Sequence, residues 1–139
     1  MEKIIQLYDM IKCRHGLMLV GPAFSGKTTA YKFLKEAITR MSQMANNKEE
    51  TAVQTKIINP KSITLTQLYG NYDSISQEFD DGVLGIAFRK FANDNPMKER
   101  RWIILDGPVD AKWIENMNTV LDDNKKLCLM NSEIIQMTD

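Results

Sequence analysis

Hydrophobic positions along this chain switch repeatedly between helical and extended spacing. Ile4, Leu7, Tyr8 and Ile11, with Ile5 and Met10 beside them, recur at steps of three and four and predict an opening helix. Arg14 and His15 suit the negative end of that helix, and Gly16 is the predicted stop. The uninterrupted apolar run Leu17–Val20 predicts a buried strand. Beyond a glycine-bounded loop, Ala30, Phe33, Leu34, Ala37, Ile38 and Met41 predict a helix whose one face packs on a sheet. Asn46–Glu50 is polar throughout and predicts a solvated loop. Val53–Ile58 alternates, ends in an apolar pair and is stopped by Asn59-Pro60, which predicts a second strand.

Thr64-Leu65-Thr66-Gln67 has the form of a capping box, opening a short helix that Gly70 would close. Asn71–Glu78 is polar and turn-rich, the character of an exposed insertion. Asp80 and Asp81 are placed to cap a helix with Val83, Leu84, Ala87, Phe88 and Phe91 on one face, ended by Asn93–Pro96. Lys98, Arg100 and Arg101 read as a solvated approach to Trp102–Leu105. That run does not alternate, as expected of a parallel strand covered on both faces. Asp110 can cap a helix carrying Trp113, Ile114, Met117, Val120 and Leu121, which Asp122–Asn124 terminates. Two short apolar segments within residues 126–137, joined through Asn131-Ser132-Glu133, predict a terminal hairpin.

Composition narrows the class without naming a chemistry. The 139 residues, 43% hydrophobic and 26% charged, describe an ordinary globular chain of one domain or part of a larger one. The 18 basic residues cancel the 18 acidic ones, so no overall field favours nucleic acid or an anionic membrane. No apolar run approaches the length of a membrane span, and the N-terminus is too mixed for a signal peptide. Cys13 and Cys128 lack metal-ligand spacing and are expected as reduced, mostly buried thiols. The lone His15 has no partner cluster and reads as a helix-end residue.

The candidate chemistry lies in Gly21-Pro22-Ala23-Phe24-Ser25-Gly26-Lys27-Thr28. It fits the phosphate-loop pattern G-x-x-x-x-G-K-[ST] at every fixed position, between a predicted strand and a predicted helix. Gly21 and Gly26 would let backbone N–H groups turn inward around a phosphate, with the helix dipole beneath the same anion. The cradle then runs from Gly21 through Thr29. Lys27 would reach the terminal phosphates, and the Thr28 hydroxyl would hold a magnesium ion. Asp106, ending the apolar run Trp102–Leu105, matches the Walker B pattern and would support the same metal. The bound cofactor expected is ATP or ADP with Mg2+.

One expected group is missing. Many P-loop ATPases place a glutamate directly after the Walker B aspartate to orient the attacking water, and here that position is Gly107, followed by Pro108. General-base help contributes roughly 10²–10⁴ in rate, so turnover is expected to be slow. Asp110 and Glu115 stand nearby as possible substitutes. Asp110 is more simply a helix cap and Glu115 a solvated helix residue, so no catalytic residue is assigned.

The residues then support a resemblance. The chain resembles the second AAA+ module of a dynein heavy chain of the axonemal, inner-arm type. The similarity is carried by Arg14–Gly21, Ile58–Thr64, Gln67–Gly70 and above all Trp102–Leu129, including Asp106-Gly107-Pro108-Val109-Asp110. It implies a P-loop NTPase (AAA+) α/β three-layer sandwich with a parallel sheet, incomplete at the C-terminus, plus a terminal β-hairpin insert. Residues 1–139 would form part of the large nucleotide-binding subdomain, with the phosphate loop at 21–28, the Walker B strand at 102–106 and the lid subdomain absent. The sensor residues and last strands are expected beyond Asp139.

The resemblance also implies a function. Six such modules form one ring that moves along microtubules, and the second is held to bind ATP without turning it over. Neighbouring modules and the linker would be immediate partners, with intermediate and light chains and microtubules reached through the full motor, in the cytoplasm, cytoskeleton and ciliary axoneme. Two other readings compete: a structural remnant with an empty loop, and a small P-loop phosphotransferase, for which lid arginines are lacking. Phe24 is bulkier than the small residue usual at its place, which backbone-mediated binding should tolerate.

Overall fold

The computed structural model describes residues 1–44, 50–93 and 99–137. Most of the predicted Asn46–Glu50 loop, the helix end at Asp94–Pro96 and the basic residue Lys98 lie outside them. The described elements, in order, are α1 (Glu2–Cys13), α2 (Lys27–Ser42), β1 (Ala52–Ile58), α3 (Leu65–Tyr69), β2 (Gly70–Tyr72), β3 (Phe79–Asp81) and α4 (Val83–Asn93). They continue with β4 (Glu99–Leu105), α5 (Ala111–Ile114), a 3₁₀ turn (Glu115–Met117), α6 (Asn118–Leu121), β5 (Lys126–Cys128) and β6 (Ile134–Gln136). No described helix is long and apolar enough to cross a membrane.

Two compact units result: Met1–Gln54 with Met97–Arg100, and Thr55–Pro96 with Arg101–Asp139. Strands β1 and β4 pair with each other. At their ends the Asp106 N–H donates to the Ile58 carbonyl at 2.9 Å, so both strands finish side by side and run the same way. The fold is thus mixed α/β with a parallel sheet, consistent with a Rossmann-like P-loop NTPase core.

In the first unit α1 packs on α2. Leu7 of α1 and Tyr31, Leu34 and Ile38 of α2 are buried at helical spacing. The α2 face is therefore rotated from the predicted one. Phe33 is 62% exposed, because α1 covers the Tyr31–Leu34–Ile38 stripe instead. The predicted strand Leu17–Val20 is also overturned. It has no strand structure, and Met18, Leu19 and Val20 are 61%, 41% and 85% exposed. Apolar side chains do not make a strand without a ladder for their backbone groups. Among the described residues β1 and β4 pair only with each other.

The second unit holds the larger core. Leu68 and Tyr69 of α3, Leu84 and Phe88 of α4, Trp113 and Met117, and Leu127 and Ile135 of the hairpin close around Ile58. Thr64 caps α3 as predicted: its hydroxyl accepts from Gln67 N–H at 3.2 Å, and the Gln67 side chain accepts from Thr64 N–H at 2.9 Å. The insertion at Asn71–Glu78 is the tip of an antiparallel hairpin, Gly70 opposite Asp81 and Tyr72 opposite Phe79. Asp80 and Asp81 therefore belong to β3, and the Gly82 carbonyl accepts the first α4 bond, from Ile86 N–H at 3.0 Å. Only glycine fits there, since a Cβ on Gly82 would lie 2.3 Å from the Leu68 carbonyl oxygen.

The terminal hairpin forms as expected, Lys126 opposite Gln136 and Cys128 opposite Ile134. Its period of two sends Leu127 and Leu129 inward and Cys128 outward. Cys13 is exposed as well, so neither thiol is buried as the composition suggested. Strand β4 is half-buried at every position rather than sealed on both faces.

Candidate functional site: the glycine loop and the strand ends

The loop at residues 21–29 belongs to the first unit. Gly26 has φ +83°, a left-handed conformation that glycine adopts without penalty, and it turns the chain into the 16-residue helix α2. No side chain caps that helix start. The first intrahelical bond runs from Ala30 N–H to the Gly26 carbonyl at 2.8 Å, so the N–H groups before it have no helical partner. Phe24, Ser25, Gly26, Lys27, Thr28 and Thr29 line a hollow of about 320 Å³ above this end.

Lys27 is folded over the loop. Its ammonium donates to the carbonyl oxygens of Gly21 and Pro22, both at 2.7 Å, and to the Ser25 hydroxyl at 3.4 Å. The loop closes tightly beneath it, because a Cβ on Gly21 would stand 2.8 Å from that hydroxyl. Phe24 sits at φ +60° with its ring fully in solvent, so its bulk does not fill the hollow. Thr28 and Thr29 are exposed at the helix start. Uncapped amide donors, a helix dipole and one ammonium form a donor set that fits a phosphate chain.

Asp106 belongs to the second unit, where it is exposed just beyond β4. Gly107 follows it, packed against the turn that ends β1. The candidate substitutes for a base are otherwise engaged. Asp110 accepts from Lys112 N–H at 2.7 Å, capping α5, and pairs with the Lys61 ammonium through its other oxygen. The Lys61 hydrogen bond, then the Lys112 amide, hold the Asp110 carboxyl below the usual carboxylate range. Glu115 is exposed in the 3₁₀ turn.

Two ionic clusters were not visible as motifs. In the first unit Glu50 is buried. Its carboxylate accepts from the Tyr8 hydroxyl at 2.5 Å and faces Arg100 at 3.2 Å and Lys12 at 3.9 Å. Arg100 is thus drawn to a buried carboxylate, not left as part of a solvated patch. In the second unit Arg89 joins Asp81 to Glu133. Tyr8 and Glu50 stand 42 positions apart and Arg89 and Glu133 stand 44 apart, and spacing carries no such signal.

No family model matches the chain. Individual relatives do. The chain is 60% identical over 98% of its length to the mouse protein dynein axonemal heavy chain 3. It is 50% identical over 99% of its length to human dynein axonemal heavy chain 12, and 49% identical over 99% to human dynein axonemal heavy chain 6. It spans 3%, 4% and 3% of these relatives, respectively. This is a mixed α/β chain whose homology lies with axonemal dynein heavy chains. By that homology it belongs with the dynein heavy chain family, as a counterpart of one short segment.

Proposed function

We propose that this chain is a nucleotide-holding part of an AAA+ module, the second in an axonemal dynein heavy chain, and that it binds Mg-ATP without turning it over. The observation that carries the reading is the uncapped start of α2 behind Gly26, with Lys27 gathered over the same hollow. Backbone N–H groups of Gly21–Thr29 hold the phosphates, and Lys27 exchanges its loop carbonyls for phosphate oxygens. By their motif positions alone, the Thr28 hydroxyl and the Asp106 carboxylate would each be a ligand for magnesium. When bound, magnesium would neutralise phosphate charge. Gly107 offers no base, and Asp110 is occupied by Lys61 and Lys112.

The 60% identity to an axonemal heavy chain supports the wider setting. Neighbouring AAA+ modules and the linker are the direct partners. Intermediate and light chains and microtubules are engaged through the full motor, in the ciliary axoneme. Residues 1–139 then form part of the large nucleotide-binding subdomain, with residues 126–137 as its terminal insert.

A second reading, a scaffold with an empty loop, is favoured by the bonds Lys27 already makes to Gly21 and Pro22. Thermal melts with and without Mg-ATP separate the two. A ligand at a hundredfold excess over its dissociation constant stabilises by about 2.7 kcal/mol, and Lys27→Ala should abolish that shift. No shift in the unsubstituted chain favours the scaffold.

A further inference from the structure

The bare position after Asp106 is held bare by its surroundings. A Cβ on Gly107 would lie 3.0 Å from Asn59 Oδ1 and 3.3 Å from Pro60 Cδ, closer than side chains ordinarily approach. Both neighbours are tethered, so yielding costs a contact. Asn59 Oδ1 accepts from Lys61 N–H at 2.9 Å, and the Asn59 carbonyl accepts from both the N–H and the hydroxyl of Ser62, at 3.2 and 2.9 Å. Pro60 is buried and its ring fixes the turn. The backbone at 107 cannot retreat either. Asp106 N–H is tied to the Ile58 carbonyl at 2.9 Å, and the Pro108 carbonyl accepts from the Trp113 indole at 3.1 Å. The next residue of the same turn, Lys61, holds Asp110.

We propose that the Asn59-Pro60-Lys61 turn is a block on the base position: it penalises any side chain at residue 107 and keeps Asp110 engaged. A carboxylate set beside Asp106 by one substitution therefore displaces that turn. Gly107→Glu loses packing before it can gain chemistry, and the turn, as much as the missing glutamate, keeps the site from hydrolysis. This rests on reading Asp106 as the residue on the metal side of the site.

A double-substitution cycle in the 139-residue chain, melted without nucleotide, tests the block independently of that reading. Gly107→Ala should lower the melting temperature by about 4 °C, and in an Asn59→Ala background by less than half as much. If Gly107→Ala leaves the chain unfolded, return of a cooperative melt in the double variant supports the block, and no return overturns it. An unchanged melt, or equal losses in both backgrounds, also overturns it. Gly107→Glu should melt lower still and release no phosphate from Mg-ATP. Steady release at an undisturbed melting temperature contradicts the proposal, whereas absence of Mg-ATP binding to the unsubstituted chain contradicts only the nucleotide reading.

Discussion

Arg89 meets Asp81 fork to fork, its Nη1 and Nη2 donating to the two carboxylate oxygens at 2.7 and 3.0 Å. The same guanidinium reaches Glu133 through Nε at 3.1 Å and Nη2 at 2.7 Å. One α4 side chain thus joins the end of the β2–β3 hairpin to the turn of the β5–β6 hairpin. The Glu133 carbonyl in turn accepts from Leu129 N–H at 2.9 Å, which carries the link into the core. Both carboxylates are about a third exposed, so bidentate geometry matters more than charge alone.

Arg89→Ala should lower stability by about 1–2 kcal/mol, a value discounted for solvent screening. Amide hydrogen exchange should speed up in residues 70–81 and 126–136 together. Faster exchange in one hairpin alone would contradict the link.

The same cluster sets an acid limit. Arg89 hydrogen bonds hold Asp81 below its ordinary 3.8 and Glu133 below its ordinary 4.5. Folded values below unfolded ones mean that the contribution is complete above the unfolded values and is lost as pH falls through the folded ones. Melts from pH 6 downward should therefore fall more steeply below about pH 4 in the unsubstituted chain than in Asp81→Asn. The two curves should converge at the lowest pH, and parallel curves would contradict the assignment.

Glu50 is buried in the first unit, its side chain only 4% exposed between Tyr8, Lys12 and Arg100. Removing Glu50 leaves the partly exposed Arg100 and Lys12 without their carboxylate, so Glu50→Ala should cost about 2 kcal/mol in denaturant unfolding, a value discounted for solvent screening. Tyr8→Phe, which removes one hydrogen bond, should cost about 1 kcal/mol. Equal costs would place the stability elsewhere than in the ion pairs.

Tyr69 offers a check on the larger core. Burial pushes its hydroxyl up to about 12, and the hydroxyl donates to the Trp113 carbonyl. An absorbance titration should show a tyrosine step near pH 12, and Tyr69→Phe should remove that step. Loss of an earlier step instead would contradict it.

Local signals were legible where local chemistry decides. The Thr64–Gln67 capping box, the Asp110 cap, the Val53–Ile58 strand and the terminal hairpin all rest on neighbours a few residues apart, and each stands in the structure. The failures depended on distant partners. Leu17–Val20 reads as a strand by composition but finds no ladder among the described residues, and α2 turns a different stripe inward because α1 covers it. The glycine loop was readable as a motif, whereas the packing of Gly107 against Asn59 and Pro60 spans 48 positions and leaves no periodic trace.

The central claim is that the loop holds a nucleotide and does not spend it. Filter retention of γ-labelled Mg-ATP, followed by chromatography of the retained label, reads both halves at once. The account predicts label retained as intact ATP through a long incubation, and lost in Lys27→Ala. Label recovered as free phosphate, or no retention by the unsubstituted chain, would contradict it.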